Sequence, residues 1–205
     1  MFSRISKRFI AVTLTLLLIF HLAGTAAPTK TAGPEFSGEM TTTDAQGNVI
    51  KAKIFIKTMQ KLRQEIIGGG DYAISIFRLD KKVSWILIPK QKQYMEVAFT
   101  VDPNRPNPAW EYTAVALGSQ TINGYECKGT RYVYKDKTKG AYIQWMAAKL
   151  QYPVKIQHVD ANGKVVKTLE CSNIKPGPQP DSLFEVPKGY TLYVMPSMQV
   201  QIPAK

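Results

Sequence analysis

The stretch from Val49 to Phe99 constrains the fold most, because strand-length runs follow one another there with almost no chain between them. Ala52, Ile54 and Ile56 alternate with Lys51, Lys53 and Lys57, a period of two that gives a strand one apolar and one wet face. Further runs at Gln60–Ile67, Tyr72–Leu79, Lys82–Ile88 and Gln93–Phe99 are separated by turn signals at Gly68-Gly69-Gly70-Asp71, Asp80-Lys81 and Pro89-Lys90-Gln91-Lys92. In the fourth run both parities are apolar: Val83, Trp85 and Leu87 on one side, Ile86 and Ile88 on the other. A strand buried on both faces needs cover on both, so the pattern predicts a central, curved antiparallel sheet with a partial lid.

The chain opens on a targeting pattern. Arg4, Lys7 and Arg8 precede an apolar run from Phe9 to Ala23 that is short for a membrane span, and small residues follow through Ala26 and Ala27. This predicts a signal peptide over 1–27 and one domain over 28–205, exported to the periplasm and open to outer-membrane association. An uncleaved anchor is the alternative. A lipidated N-terminus is not expected, because the two cysteines, Cys127 and Cys171, lie far from the leader.

The full chain has 27 basic and 15 acidic residues. Taking away the three leader cations leaves 24, an excess of nine over the acids. For an exported protein that excess fits an anionic membrane surface better than nucleic acid, although scattered lysines also serve solubility. Export places both cysteines in an oxidising compartment, where a Cys127–Cys171 disulfide would stabilise the fold by up to about 4 kcal/mol. Two separate buried thiols are the other reading.

Along the rest of the chain, Glu35–Thr43 reads as the first strand. Pro103, Pro106 and Pro108 interrupt pairing, and a helix is expected over Pro108–Leu117, capped by Asn107 and ended by Gly118. Strands are expected again at Ser119–Ile122, Tyr125–Lys135, Ala141–Met146, Pro153–Val159 and Lys164–Ile174, with Asn123-Gly124 as a hairpin turn. Ala147–Leu150 and Asp181–Phe184 are expected to form single helical turns, and Tyr190–Val194 to close a sheet edge. The fold class is mainly β: an unclosed half-barrel of about ten to eleven antiparallel strands with one or two short covering helices.

Catalytic signatures do not appear. After the leader only His158 remains among the histidines, and no nucleophile-elbow, zinc-helix or phosphate-loop sequence is present. Glu39, Glu65 and Glu96 are scattered acids with no catalytic spacing. No cofactor is expected, and the enzyme reading is set aside. Apolar and aromatic residues are what the sequence does supply. Ile54, Ile56, Trp85, Leu87, Met95, Tyr132, Tyr134 and Trp145 fall on the more apolar side of their strands, and are the candidate lining of a concave, ligand-binding face. A helix of ten residues is about 15 Å long and cannot cover a sheet of that width. Either the side chains fill the interior or apolar wall remains for a lipid, an acyl chain or an acylated protein.

Three stretches then resemble the exported LolA/LolB-like lipoprotein-carrier family and its uncharacterised relatives. They are the meander Lys53-Ile54-Phe55-Ile56-Lys57 through Leu79–Pro89, the segment Asn123-Gly124-Tyr125-Glu126-Cys127 with Tyr132, and Tyr152-Pro153-Val154-Lys155 with Phe184–Tyr190. The resemblance implies an unclosed antiparallel barrel lidded by helices, with an apolar cavity able to shield acyl chains. It also implies lipid or lipoprotein handling, or an envelope-stress sensor and protein-interaction role on the same fold. Arg63 is the basic residue nearest to a lid-latching role.

Overall fold

A computed structural model of the protein describes residues 33–68, 73–98 and 111–194. The leader, Gly69 to Tyr72 and the proline segment from Phe99 to Trp110 lie outside the described residues. The strands are β1 (Phe36–Asp44), β2 (Val49–Thr58), β3 (Lys61–Ile66), β4 (Ile74–Arg78), β5 (Val83–Ile88), β6 (Gln93–Ala98), β7 (Tyr112–Ile122), β8 (Tyr125–Tyr134), β9 (Ala141–Ala147), β10 (Tyr152–Val159), β11 (Val165–Pro176) and β12 (Thr191–Leu192). They form one 12-stranded sheet in the order β12-β6-β5-β4-β3-β2-β1-β11-β10-β9-β8-β7. Two meanders build it. The first runs from β1 to β6, and the second runs from β7 to β11 and returns to lay β11 against β1.

β6 and β7 are consecutive in the chain yet stand near opposite ends of the sheet. Strands lie about 4.8 Å apart, so a flat sheet would hold the two roughly 50 Å from each other. The sheet curls instead. The β7–β8 turn reaches past β9 and β10 to β11, where Asn123 Nδ2 donates to Glu170 Oε1 at 3.1 Å and to the Cys171 carbonyl at 2.8 Å. The result is an open antiparallel half-barrel, as the alternation predicted, with twelve strands where ten or eleven were expected.

The expected helix is a correction. From Tyr112 the chain is strand β7, paired along its length with β8, and Gly118 sits at φ +81° beside the bulge between Ala116 and Gly118. The glycine shifts the register of a strand and terminates no helix. Tyr112, Ala114 and Ala116 alternate with Thr113, Val115 and Leu117, a period of two that fits the sheet better than the capping signals fit a helix. Ala147–Leu150 is also not helical but a pair of turns, closed by Leu150 N–H to Ala147 O at 3.2 Å and Gln151 N–H to Ala148 O at 3.3 Å. Asp181–Phe184 is the expected single turn, of the 3₁₀ type, and β12 closes the β6 edge in parallel.

No α-helix covers the sheet among the described residues, so the expected helical lid is replaced. The C-terminal segment does the covering, crossing from β1 towards β6. Gly177 N–H bonds the Glu35 carbonyl, Lys57 Nζ donates to Gln179 O, Arg63 Nη1 to Leu183 O and Arg78 Nη1 to Phe184 O. Lys57 and Lys61 also pair with Asp181, and Lys81 with Glu185. Lys57 of β2, Lys61 and Arg63 of β3, Arg78 of β4 and Lys81 thus latch a strap.

Candidate functional site

Residues directly opposite in an antiparallel ladder project from the same side of the sheet, so the register assigns each side chain a face. Ile54 pairs with Gln64, Gln64 with Ser75, Ser75 with Ile86, and Ile86 with Met95. Ile56 leads likewise through Leu62 and Phe77 to Ser84. Across β1 the face continues through Met40, Cys171, Leu169, Ile156 and His158 to Tyr142 and Tyr132. This is the inner face of the curl, and its largest buried cluster joins Ile54, Ile56, Leu62 and Phe77 to Tyr142, Ile156 and Leu169.

Five of the eight candidate lining residues therefore lie together on the inner face: Ile54, Ile56, Met95, Tyr132 and Tyr134. Trp85 and Leu87 do not. They pair with Ile76 and Ile74, one residue out of step with Ser84 and Ile86, so they point outward. There they form a second cluster with Ile76 and Phe184, packed by Leu183, Val186 and Tyr190 of the strap. The Trp85 indole N–H donates to Glu96 Oε2 at 2.9 Å and Lys81 stands 5.3 Å over its ring, so the residue is fully engaged under cover. Trp145 pairs with Gly129 and Lys155 beside the β10 bulge, opposite in parity to Tyr142 and Gln144 and with its ring over Gly129, yet it packs against the same buried cluster as Tyr132 and Tyr134. The sequence offered two apolar parities in β5 without saying which was inner. Strand register settles it.

The structure also corrects the cysteine pairing. Cys127 on β8 and Cys171 on β11 are free, buried thiols. β9 and β10 stand between them, a ladder separation of about 14 Å along the sheet, against the 7 Å or so that a disulfide can span between Cα atoms. Burial pushes the Cys171 thiol up to about 12, and burial also raises Cys127.

A line of rings crosses the inner face that the sequence did not group. Tyr112 and Tyr132 meet edge-on at 5.0 Å between centroids, Tyr132 and Tyr142 lie 6.1 Å apart, and Tyr142 meets His158 at 5.3 Å. Burial raises the pKa of the Tyr132, Tyr134 and Tyr142 hydroxyls, so these three stay neutral. Period-two spacing of Tyr132 and Tyr134 was the visible signal; the cross-strand partners come from register. Three polar atoms of this face, Ser84 Oγ, Tyr142 OH and Gln144 Oε1, are buried without a hydrogen-bond partner. The inner face is thus largely apolar and aromatic with a few polar points, and Asp44 and Lys167 share its parity at one end of β1 and β11. Among the described residues no group of three His, Cys, Asp or Glu side chains is placed to hold a metal. No described helix is long and apolar enough to cross a membrane.

Comparison with known families gives a match over residues 36–151, from β1 through the turn after β9, to a domain of unknown function, DUF4412. The chain belongs to the DUF4412 family. No curated protein sequence matches it. Among solved structures, an uncharacterized conserved protein from Thermus thermophilus superposes at a TM-score of 0.57 and 11% identity, over 89% of this chain and 98% of that one. MucB from Pseudomonas aeruginosa, solved as a complex with MucA, superposes at 0.52 and 15% identity, over 73% of this chain and 54% of that chain. This DUF4412 chain therefore spans about half of MucB. A LolA superfamily protein from Nitrosomonas europaea is also among the matches, at a TM-score of 0.35 and 12% identity over 77% of this chain and 91% of that one. The DUF4412 sheet shares its fold with the Thermus thermophilus protein and with MucB, and LolA-superfamily structures are among its weaker matches.

Proposed function

We propose that this DUF4412 protein is an exported, non-enzymatic binding module whose inner face takes an apolar ligand: a lipid, an acyl chain or a lipidated protein. The observation that carries the reading is the run of apolar and aromatic side chains along the inner face, from Ile54 and Ile56 on β2 to Tyr132 and Tyr142 on β8 and β9. Each methylene buried there contributes about 0.8 kcal/mol, so even a partly inserted chain gives measurable affinity. The leader pattern over 1–27 supports a periplasmic address, and the basic excess supports contact with an anionic membrane surface, with the outer membrane as one destination.

The test compares the two faces. Displacement of an environment-sensitive dye by a fatty acid should be abolished by Ile56→Glu on the inner face. It should survive Trp85→Ala on the outer face once folding is checked. Equal loss in both variants, or no binding by the wild type at any accessible concentration, sinks the lipid reading.

A second reading has its own observation. β7 is an edge strand of eleven residues with no charged side chain, and Val115 and Leu117 are 47% and 41% exposed. Uncharged edges of that length are open to pairing with another chain, and MucB, of similar fold, was captured with a protein partner. A charge placed mid-strand, Val115→Lys, should abolish partner capture and leave lipid uptake unchanged if this reading holds.

A further inference from the structure

A cleft of about 370 Å³ opens on the outer side of the second meander, between the β8–β9 turn and the β10–β11 turn. It is separate from the inner wall. Arg131, which bounds it, pairs with Ile143, one residue out of step with Tyr132 and Tyr142. Gly140 makes the cleft possible: a Cβ there would lie 2.0 Å from the Val159 carbonyl oxygen, so only glycine lets the two turns pack this closely.

The charges lining the cleft are out of balance. Arg131 and Lys137 face one carboxylate, Asp160, whose Oδ1 accepts from the backbone N–H groups of Asn162 and Lys164, each at 2.9 Å. The Nε of Arg131 is buried with no acceptor. The residue lines the cleft, where the outer nitrogens of its guanidinium can meet an anion. Its planar fork matches the oxygens of a phosphate, and an ammonium beside it adds a point charge. Asn162 brings an amide to the same cleft, and Val133 and Ala141 give it an apolar side that suits the carbon atoms of a small ester.

We propose that this cleft is a binding site for a glycerophosphate group, with Arg131 and Lys137 holding the phosphate and Val133 and Ala141 taking the glyceryl carbons. The group is common to a free phosphate ester and to the head of an anionic phospholipid. The site does not depend on the inner face binding lipid.

The test is titration of isotopically labelled full-length mature protein with sn-glycerol 3-phosphate, following the amide signals of Gly140 and Gly163. Saturable shifts at both turns are expected. Arg131→Gln and Lys137→Gln should each weaken binding by about tenfold or more, and Arg131→Lys by less, because it keeps the charge and loses the fork. Lys149→Gln, an equal loss of charge at an exposed position outside the cleft, should leave binding unchanged. Co-sedimentation with phosphatidylglycerol and phosphatidylcholine vesicles then separates the sources. Arg131-dependent binding to the anionic vesicles assigns the site to a membrane headgroup, and glycerophosphate binding without vesicle binding assigns it to a soluble ester. Shifts that never saturate, an equal response to acetate, or the same affinity in Arg131→Gln and wild type would overturn the proposal. Comparable thermal unfolding of the variants ensures that lost binding reports the site and not the fold.

Discussion

Arg78 and Asp80 form a two-pronged ion pair on the outer face, Nε to Oδ1 at 2.8 Å and Nη2 to Oδ2 at 2.7 Å. The remaining Nη1 of Arg78 turns to the strap, where it meets the Phe184 carbonyl at 3.2 Å and the Glu185 carboxylate. Only 4% of Arg78 is exposed, so its charge is sustained by these partners rather than by water. Its pKa is raised, first by the hydrogen bond to Asp80 and then by Glu185 against the opposing effect of burial. Arg78→Ala removes the side-chain donor of Asp80 and of the Phe184 carbonyl and leaves Glu185 with Lys81 alone. Removing one partner of a fully buried pair costs about 3–5 kcal/mol; the half-exposed Glu185 can regain water, so a loss of about 2–3 kcal/mol is expected. Urea unfolding measures it, and a change under 0.5 kcal/mol would show that the strap is held by its apolar residues alone.

The same latch makes the strap sensitive to acid. Hydrogen bonds from Arg78 hold the Asp80 carboxyl below its usual 3.8. Burial pushes Glu185 up, but hydrogen bonds from Lys81 and Arg78 outweigh it and leave it below 4.5. Both folded pKa values are depressed. Their contribution to stability is therefore complete above the unfolded values and is lost as pH falls through the folded ones. The strap should stay closed from pH 7 to pH 5 and loosen below about pH 4, with exposure of Trp85 read by its fluorescence. In Arg78→Gln that acid transition should be largely gone. An unchanged transition in the variant would place the acid sensitivity elsewhere.

Strand alternation made the half-barrel legible because each strand carries its own period-two signal. Ile54, Ile56, Tyr132 and Tyr134 could be placed on the inner face on that basis. Trp85 and Leu87 could not, since β5 is apolar on both sides and only its pairing with β4 and β6 fixes which parity is inner. The same limit applies to the strap. Asp181 and Glu185 flank Leu183 and Phe184 in the sequence, yet their basic partners Lys57, Arg63 and Arg78 lie more than a hundred residues away. Local patterning carries no record of such contacts. The helix expected at Pro108–Leu117 fell to a related weakness: cap residues favour a helix, but alternating Thr113, Val115 and Leu117 gain more from pairing with β8.

Cys127 and Cys171 should behave as protected thiols. Burial disfavours the thiolate, which is the reactive form, and both side chains are shielded by the inner cluster. Alkylation of native protein at pH 8 should label neither within the time that denatured protein labels both, with no reductant added. If denatured protein labels only after reduction, the two are bridged after all and the β8–β11 spacing is shorter in solution.

Gly140 and Gly163 offer a matched comparison, since they sit in the two turns that form the outer cleft and both adopt positive φ, +71° and +85°. Alanine at Gly163 meets nothing within 4 Å, so only backbone strain opposes it, about 1–2 kcal/mol. At Gly140 the backbone also has ψ −129°, a region that glycine alone enters readily. The new methyl group would further press on the Val159 carbonyl and on Asp160, backbone atoms that cannot swing aside. Gly140→Ala should therefore destabilise by about 2 kcal/mol more than Gly163→Ala. Because relief requires the turns to separate, it should also weaken any anion binding at Arg131 and Lys137, whereas Gly163→Ala should preserve it. Thermal unfolding of the two variants reads the first effect, and the glycerophosphate titration reads the second. Equal destabilisation would mean that the two turns are not pressed together at Gly140, and the cleft would lose the contact that shapes it.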